Sequence, residues 1–165
     1  MSPTLKNASL VELIAELRWD SPAVLRPPEA GTAAPTFMSG NPGSLDGFFM
    51  RFGGAASNLG YSESERLVPA QFPTFAHQPV YRFKHKHNDH TKSLYQVGGG
   101  IFSANALPPY KSWAEFEPII QDGVNALLGS RSTDEASNPF TSISLRYINA
   151  FGPELTDNRS VNVFF

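Results

Sequence analysis

Cysteine is absent from the 165 residues of this chain. Its absence excludes thiol nucleophiles, thiolate-bound zinc and disulfide bonds. Long apolar runs are absent too, so no segment has the length of a transmembrane helix, and the first residues lack the basic start and apolar core of a signal peptide. We therefore expect a cytoplasmic bacterial protein with no membrane partner.

Charged residues are few, at 17% of the chain, and the two signs nearly cancel to a net charge of -2. A dedicated nucleic-acid binder usually carries a clear excess of Lys and Arg, so this balance disfavours that class. Hydrophobic residues reach 41% of the chain, and 13 residues are Phe. Because this is enough apolar material for one core, we expect a single domain over residues 1–165.

Two helices are predicted from apolar residues that recur at three- and four-residue spacing. The better defined is Ser112–Leu128, where the first residue and Glu115 have the spacing of a capping box. We predict that this helix buries Trp113 and Phe116 against a sheet. The second predicted helix is Ser44–Leu59, which has a similar apolar face.

Alternation of apolar and polar residues predicts the strands of that sheet. The predicted strands are Pro79–His87, Leu94–Ala106, Phe140–Phe151 and Val161–Phe165, and the first two form a hairpin. By periodicity alone Leu10–Trp19 fits a helix as well as a strand. The glycines at positions 98–100 interrupt one strand, and we interpret them as a bulge or bend because the residues that follow are typical of a strand.

The remaining segments lack periodicity. Residues 20–43 are rich in Pro, Ala, Gly and Ser and are predicted to form a loop. Tyr61–Gln78 is predicted to be an irregular connection. Together these predictions give an α+β fold, with a mainly antiparallel sheet of about five strands and two helices packed on one of its faces.

Five blocks of the sequence resemble, in order and spacing, a sporadically distributed, uncharacterised family of bacterial and archaeal proteins. The blocks are Leu10–Trp19 (ending ELRW), Glu65–Pro73 (ERLVPA, FP), Gln78–Phe83 (QPVYRF), Leu94–Trp113 (LYQVGGGIFSANALPPYKSW) and Pro139–Phe151 (PF, SLRYINAF). The resemblance implies a strand at Leu10–Trp19 and brings no activity or site residues with it. It also implies that this chain corresponds to the N-terminal part of a longer architecture.

A histidine cluster is the first of two candidate ligand sites. His85, His87 and His90 lie close to Asp89, and alternate strand positions would place two imidazoles on one face. A polar hairpin tip explains the cluster better, because short His tracts usually lack the converging ligands that zinc needs. We therefore expect no metal and no other cofactor.

The second candidate is a basic sheet face next to aromatic residues, an arrangement found in proteins that bind single-stranded nucleic acids. Its candidate residues are Arg82, Lys84, Lys86, Lys92 and Arg146, with Tyr95 and Phe102 nearby. Gly98, Gly99 and Gly100 are candidates for a close approach of a ligand to the backbone. Solvated strand faces carry Lys and Arg routinely, so a ligand-free face is the preferred interpretation.

No set of acid, base and nucleophile converges in the sequence, so a non-catalytic role is favoured without catalysis being excluded. We expect a protein-interaction domain of an accessory type, such as a defence or toxin-neutralising component. Its partner would be another protein or a second copy, bound where Val161–Phe165 or the last full strand leaves an open sheet edge. The alternatives are binding of RNA or single-stranded DNA by the basic hairpin, and a small-molecule or metal-dependent site near the glycines and histidines.

Overall fold

The computed structural model describes residues 10–21, 42–86, 92–108 and 112–150. Within these ranges the chain forms a six-stranded antiparallel sheet with two long helices packed on it. The predicted α+β class, with helices on an antiparallel sheet, is therefore confirmed. The predicted strand Val161–Phe165 and most of the loop at 20–43 lie outside the described residues.

The strands are β1 (Leu10–Trp19), β2 (Glu63–Arg66), β3 (Pro79–Lys84), β4 (Ser93–Gly98), β5 (Ile101–Ala106) and β6 (Phe140–Asn149). The helices are α1 (Pro42–Asn58), α2 (Trp113–Ser130) and the single turn α3 (Thr133–Ala136). The strand order in the sheet is β2-β3-β4-β5-β1-β6. Thus β1 is an inner strand, and β2 and β6 are the outer strands of the described sheet.

β1 confirms the strand that the resemblance implies for Leu10–Trp19. Its five central residues, Leu13 to Leu17, are all buried. Leu13, Ala15 and Leu17 face the helices, while Ile14 and Glu16 face the other side of the sheet. Because both faces are buried, alternation is weak in this sequence, and periodicity could not distinguish strand from helix.

The prediction of one strand over Leu94–Ala106 is wrong, since the segment forms β4 and β5, joined by a two-residue turn at Gly99 and Gly100. Gly100 has a φ of +77°, and a Cβ there would lie 2.6 Å from the carbonyl oxygen of Trp19. A Cβ on Gly98 would lie 1.8 Å from the carbonyl oxygen of Gln78. Because both obstacles are backbone atoms, positions 98 and 100 require glycine, and the turn divides one predicted strand into two.

A further strand, β2, was missed in the segment predicted to be irregular. All four of its residues are exposed, so it has no apolar face from which alternation could be recognised. The predicted strand at Pro79 ends at Lys84, three residues earlier than expected, and the predicted hairpin is the antiparallel pair of β3 and β4.

Helix α2 differs from its prediction at its first turn. The Ser112 side chain makes no capping hydrogen bond. Trp113 is 47% exposed, contrary to the predicted burial, whereas Phe116 is completely buried as predicted. The Trp113 ring lies over the buried Phe116, with ring centroids 6.1 Å apart, so it covers the edge of the core from outside.

The core lies between the sheet and the two long helices, and aromatic rings dominate it. Phe48, Phe49 and Phe52 project from α1 into this layer. They meet rings from the sheet, among them Tyr81, Phe83, Tyr95 and Phe102. The high Phe content of the sequence therefore serves the contact between α1 and the sheet.

Gly123 lets α2 approach the sheet closely. A Cβ there would lie 2.6 Å from Cε1 of Tyr95 and 2.7 Å from Cζ of Phe102. We predict that Gly123→Ala lowers the free energy of unfolding by about 1–3 kcal/mol through overpacking, although alanine favours a helix more than glycine does. Urea denaturation measures this change.

Gly129→Ala is the matched control, because Gly129 belongs to the same helix and a Cβ there meets nothing within 4 Å. This variant should be as stable as the wild type or up to about 1 kcal/mol more stable. Equal stabilities of the Gly123 and Gly129 variants would contradict the close packing of α2 on the sheet.

Candidate functional site

The candidate site is the outer strand β6. Within the described residues β6 pairs with β1 on one side and has no strand on the other. Ile143, Leu145 and Tyr147, here called the β6 stripe, are the partners of Leu17, Ala15 and Leu13 in β1, which face the helices. The members of the stripe are 76%, 41% and 58% exposed. The β6 stripe is therefore an uncovered apolar extension of the face on which the helices pack.

The opposite edge of the sheet has a different character. β2 has only four residues, all of them exposed, and three are charged: Glu63, Glu65 and Arg66. Glu65 accepts a hydrogen bond of 2.7 Å from Nζ of Lys84, and this bond holds the pKa of its carboxyl below the usual range. Short, charged edge strands resist pairing with other chains. β6 is ten residues long, half of them apolar and only one charged, and so lacks that protection.

The only charged residue of β6 is Arg146, and its charge is neutralised within the chain. Arg146 forms an ion pair with Glu16, which also accepts a hydrogen bond of 2.8 Å from Nε of Arg18. The Glu16 side chain is buried, and two guanidinium partners compensate its charge. This ion pair lies on the face of the sheet opposite the β6 stripe, and it ties the middle of β6 to β1.

The start of β6 is held by a buried arginine. The Arg131 guanidinium lies 5.3 Å from the Trp19 ring centroid and 5.4 Å from that of Phe140, the first residue of β6. Its Nη2 donates to the backbone oxygens of Glu135 and, at 2.7 Å, of Asn138. Burial lowers the pKa of Arg131, but arginine stays charged at any physiological pH. Arg131 therefore joins the last residue of β1 to the first residue of β6.

A row of polar residues crosses the helix-free face of the sheet, each paired in register with the next. The row consists of Glu65, Arg82, Gln96, Ser103, Glu16 and Ser144. Beside it, Asn105 donates to Glu12 at 2.7 Å and accepts a hydrogen bond of 2.9 Å from Ser103. Arg82 pairs with Glu65, Ser103 with Asn105 and Glu16 with Arg146, so polar contacts accompany the strand register at several points of this face.

The predicted basic residues lie on or beside this face, but they do not form one groove. Arg82 and Lys84 are on β3 next to Glu65, whereas Arg146 is on β6, with three strands between. Lys86 and Lys92 are exposed outside the strands. Tyr95 and Phe102, expected nearby as stacking rings, are buried on the helix side of the sheet. These residues therefore offer no stacking platform beside the basic groups.

The glycine turn is enclosed by the protein itself. The backbone N–H of His77 donates to the carbonyl oxygen of Gly99 at 2.9 Å, and the N–H of Trp19 donates to that of Gly100 at 3.0 Å. The carbonyl oxygen of Gln78 occupies the space beside Gly98. The space beside these glycines is therefore occupied by the backbone of neighbouring segments. The sequence had suggested that a ligand could approach the backbone at this place.

The histidines are not gathered into a site within the described residues. His85 packs on Tyr61, with ring centroids 4.0 Å apart, while His87 and His90 lie outside the described ranges. Among the residues that the structure describes, no three His, Asp or Glu side chains are placed to hold a metal ion. The expected absence of a metal remains a prediction.

A groove of about 480 Å³ lies between α1 and the strands β2 and β3. Its lining is mostly apolar and includes Phe49, Met50, Tyr81 and Phe83, with Asp46 as its one carboxylate. This lining contains no second acid, no base and no nucleophile next to a base. The groove therefore lacks the combination of groups that catalysis requires.

Comparison of the chain with models of protein families, with curated proteins and with solved structures found no significant match. None of the described helices is both long enough and apolar enough to span a membrane.

Proposed function

We propose that this chain is a non-catalytic protein-interaction domain whose β6 edge accepts an extended strand of its partner. The observation that supports it is the exposure of the β6 stripe on an outer strand of ten residues. An unpaired edge offers backbone donors and acceptors, and an apolar stripe beside them rewards a partner that covers it. Addition of a strand satisfies both requirements at once.

The partner would contribute a strand with apolar side chains at alternate positions, because such a strand pairs with the backbone of β6 and places apolar neighbours beside the β6 stripe. We further propose a cytoplasmic, accessory role in bacteria, of the defence or toxin-neutralising type. The resemblance to a sporadically distributed family supports this role by analogy.

Binding of RNA or single-stranded DNA is the weaker candidate. Arg82 and Lys84 share the Glu65 carboxylate, which reduces the positive charge available to a phosphate backbone. Tyr95 and Phe102, the rings expected to stack on bases, are buried on the other face of the sheet. A single-strand binder combines a basic groove with accessible stacking rings, and the described residues do not supply that combination.

The test is affinity capture from cells that express a tagged and an untagged copy of the chain together. Three tagged forms are compared: the wild type, Leu145→Lys on β6 and Ser64→Lys on β2. We expect the wild type and the Ser64 variant to retain the same specific protein, or the untagged copy, and Leu145→Lys to lose it. Recovery of the same proteins by all three forms, or of none by any, would contradict the proposal.

The nucleic-acid alternative is tested beside it with labelled single-stranded oligonucleotides at several salt concentrations. We expect no binding. Salt-sensitive binding that disappears in an Arg82→Glu, Lys84→Glu variant would favour the alternative and overturn the assignment as a protein-interaction domain.

A further inference from the structure

We infer that the partner at β6 is a second copy of this chain, paired antiparallel through β6 about a two-fold axis at Leu145. This inference rests on the proposed function and adds the identity and the register of the partner strand. A two-fold axis perpendicular to the sheet makes β6 pair with itself and keeps the helices of both copies on the same face. That face of β6 is exposed among the described residues, so none of the described helices stands where the second copy would lie.

The side chains of β6 are self-complementary in this register. Ile143 lies opposite Tyr147 of the second copy, and Leu145 lies opposite its own equivalent. Pairs of an aromatic with a β-branched side chain are among the favourable cross-strand pairs. Each member of the β6 stripe therefore has a member of the same stripe in the other copy as its cross-strand neighbour.

The register also uses nearly the whole strand. Centring on Leu145 pairs Thr141 with Asn149, so the overlap spans almost all of β6 (Phe140–Asn149). Paired residues of an antiparallel sheet point to the same face. An axis between Ser144 and Leu145 would pair Leu145 with Ser144 of the second copy, and so would place the apolar side chains of one copy beside the polar side chains of the other. Such a register is excluded.

Two neighbouring registers, with the two-fold axis at Arg146 or at Ser144, keep the apolar faces of both copies together. Both are less favourable than the register with the axis at Leu145. An axis at Arg146 would place two guanidinium groups directly opposite each other, which is destabilising. An axis at Ser144 would leave Tyr147 opposite Thr141 and divide the apolar stripe. With the axis at Leu145, Arg146 faces Ser144 of the second copy and stays bound to Glu16 of its own chain.

The difference between the two edges of the described sheet limits the association to two copies. β2 carries charged, exposed residues and is short, so it is a poor site for addition of a further strand. Because the β6 edge pairs with itself, dimerisation uses up the apolar edge of both copies.

Single cysteines test this register without background, because the natural chain contains none. Opposite residues of an antiparallel pair have Cα atoms about 4.5–5.5 Å apart, within the range of about 4.4–6.8 Å that a disulfide spans. We expect Leu145→Cys to form a disulfide-linked dimer under mild oxidation, detected by non-reducing electrophoresis. Leu145 is partly exposed, so circular dichroism should show an unchanged fold.

Ile143→Cys is the matched control on the same strand and the same face. In the proposed register its equivalents are four residues apart along the strand, roughly 13 Å, so this variant should not cross-link by itself. The double variant Ile143→Cys, Tyr147→Cys should cross-link, because these positions lie opposite each other. A cysteine at Ser64 on β2 should remain unlinked.

The outcomes separate this inference from the proposed function. Cross-linking of Ile143→Cys or Ser144→Cys as efficient as that of Leu145→Cys would overturn the two-fold axis at Leu145. Absence of any cross-link, together with capture of a different protein that Leu145→Lys loses, would refute the second copy and leave the interaction edge intact. Absence of both would refute the two proposals together.

Discussion

Replacing Phe52 with alanine should lower the free energy of unfolding by about 3–5 kcal/mol, the usual cost of removing a buried aromatic side chain. Phe52 is fully buried. Its ring centroid lies 5.4–6.3 Å from those of four other rings, which belong to Phe48, Phe83, Tyr95 and Phe102. These rings come from four separate elements, so they cannot easily close the cavity. Urea denaturation followed by circular dichroism measures the loss.

Met50→Ala is the control for this experiment, because Met50 is on the same helix and is 79% exposed. Its effect should stay within about 0.5 kcal/mol, as is usual for surface substitutions. If the two substitutions had similar effects, α1 would not be packed on the sheet in the way described.

Leu145→Lys should weaken self-association by on the order of a hundredfold or more. Leu145 is 41% exposed in one copy, so burial of its exposed part at the two-fold axis contributes about 1 kcal/mol per copy. Two copies lose about 2 kcal/mol, and the like charges of two facing lysines cost up to about 1 kcal/mol more. The sum is roughly two powers of ten in the dissociation constant. Sedimentation velocity over a range of concentrations measures the change.

The isolated chain should remain folded in this variant, because Leu145 is on an outer strand and partly exposed. Ser64→Lys adds the same charge to the opposite edge and should leave self-association unchanged. Dissociation in both variants would indicate a general effect of charge, and persistence of the dimer in Leu145→Lys would place the interface elsewhere.

Much of the fold could be predicted because most elements have a clear periodicity. The apolar faces of α1 and α2 have helical spacing, and β3 and β6 alternate. β2 could not be recognised, because its four residues are all exposed and their pairing with β3 is the only evidence of a strand. A strand that is exposed on both faces shows no alternation of apolar and polar residues, so the sequence of β2 by itself does not indicate a strand.

The glycines at positions 98–100 show another limit of sequence analysis. A bulge and a tight turn both favour glycine, so composition cannot separate them. The deciding contacts come from the backbone of Gln78 and Trp19, far away in sequence, which leave no room for a Cβ. In the same way, Trp113 has the spacing of a buried residue but is half exposed at the first turn of α2, where it contacts Phe116.

The candidate site was partly visible in the sequence. The alternation of Ile143, Leu145 and Tyr147 predicted an apolar strand face, and the last full strand was one of two segments expected to form an open edge. Exposure of that face could not be predicted, because it depends on how far the helices extend over the sheet. The partners of Arg146 and Ser103 depend on the register of strands distant in sequence and could not be predicted either.

Amide hydrogen exchange along Thr141–Asn149, measured at increasing protein concentration, tests the open β6 edge most directly. Pairing with β1 engages the amide of every second residue, and the alternate amides point outward. We predict that the outward amides gain protection as concentration rises, that those of Glu63–Arg66 do not, and that Leu145→Lys abolishes the gain. Rapid exchange of the outward amides at every concentration, or full protection even at the lowest, would contradict an open edge that pairs with a second copy.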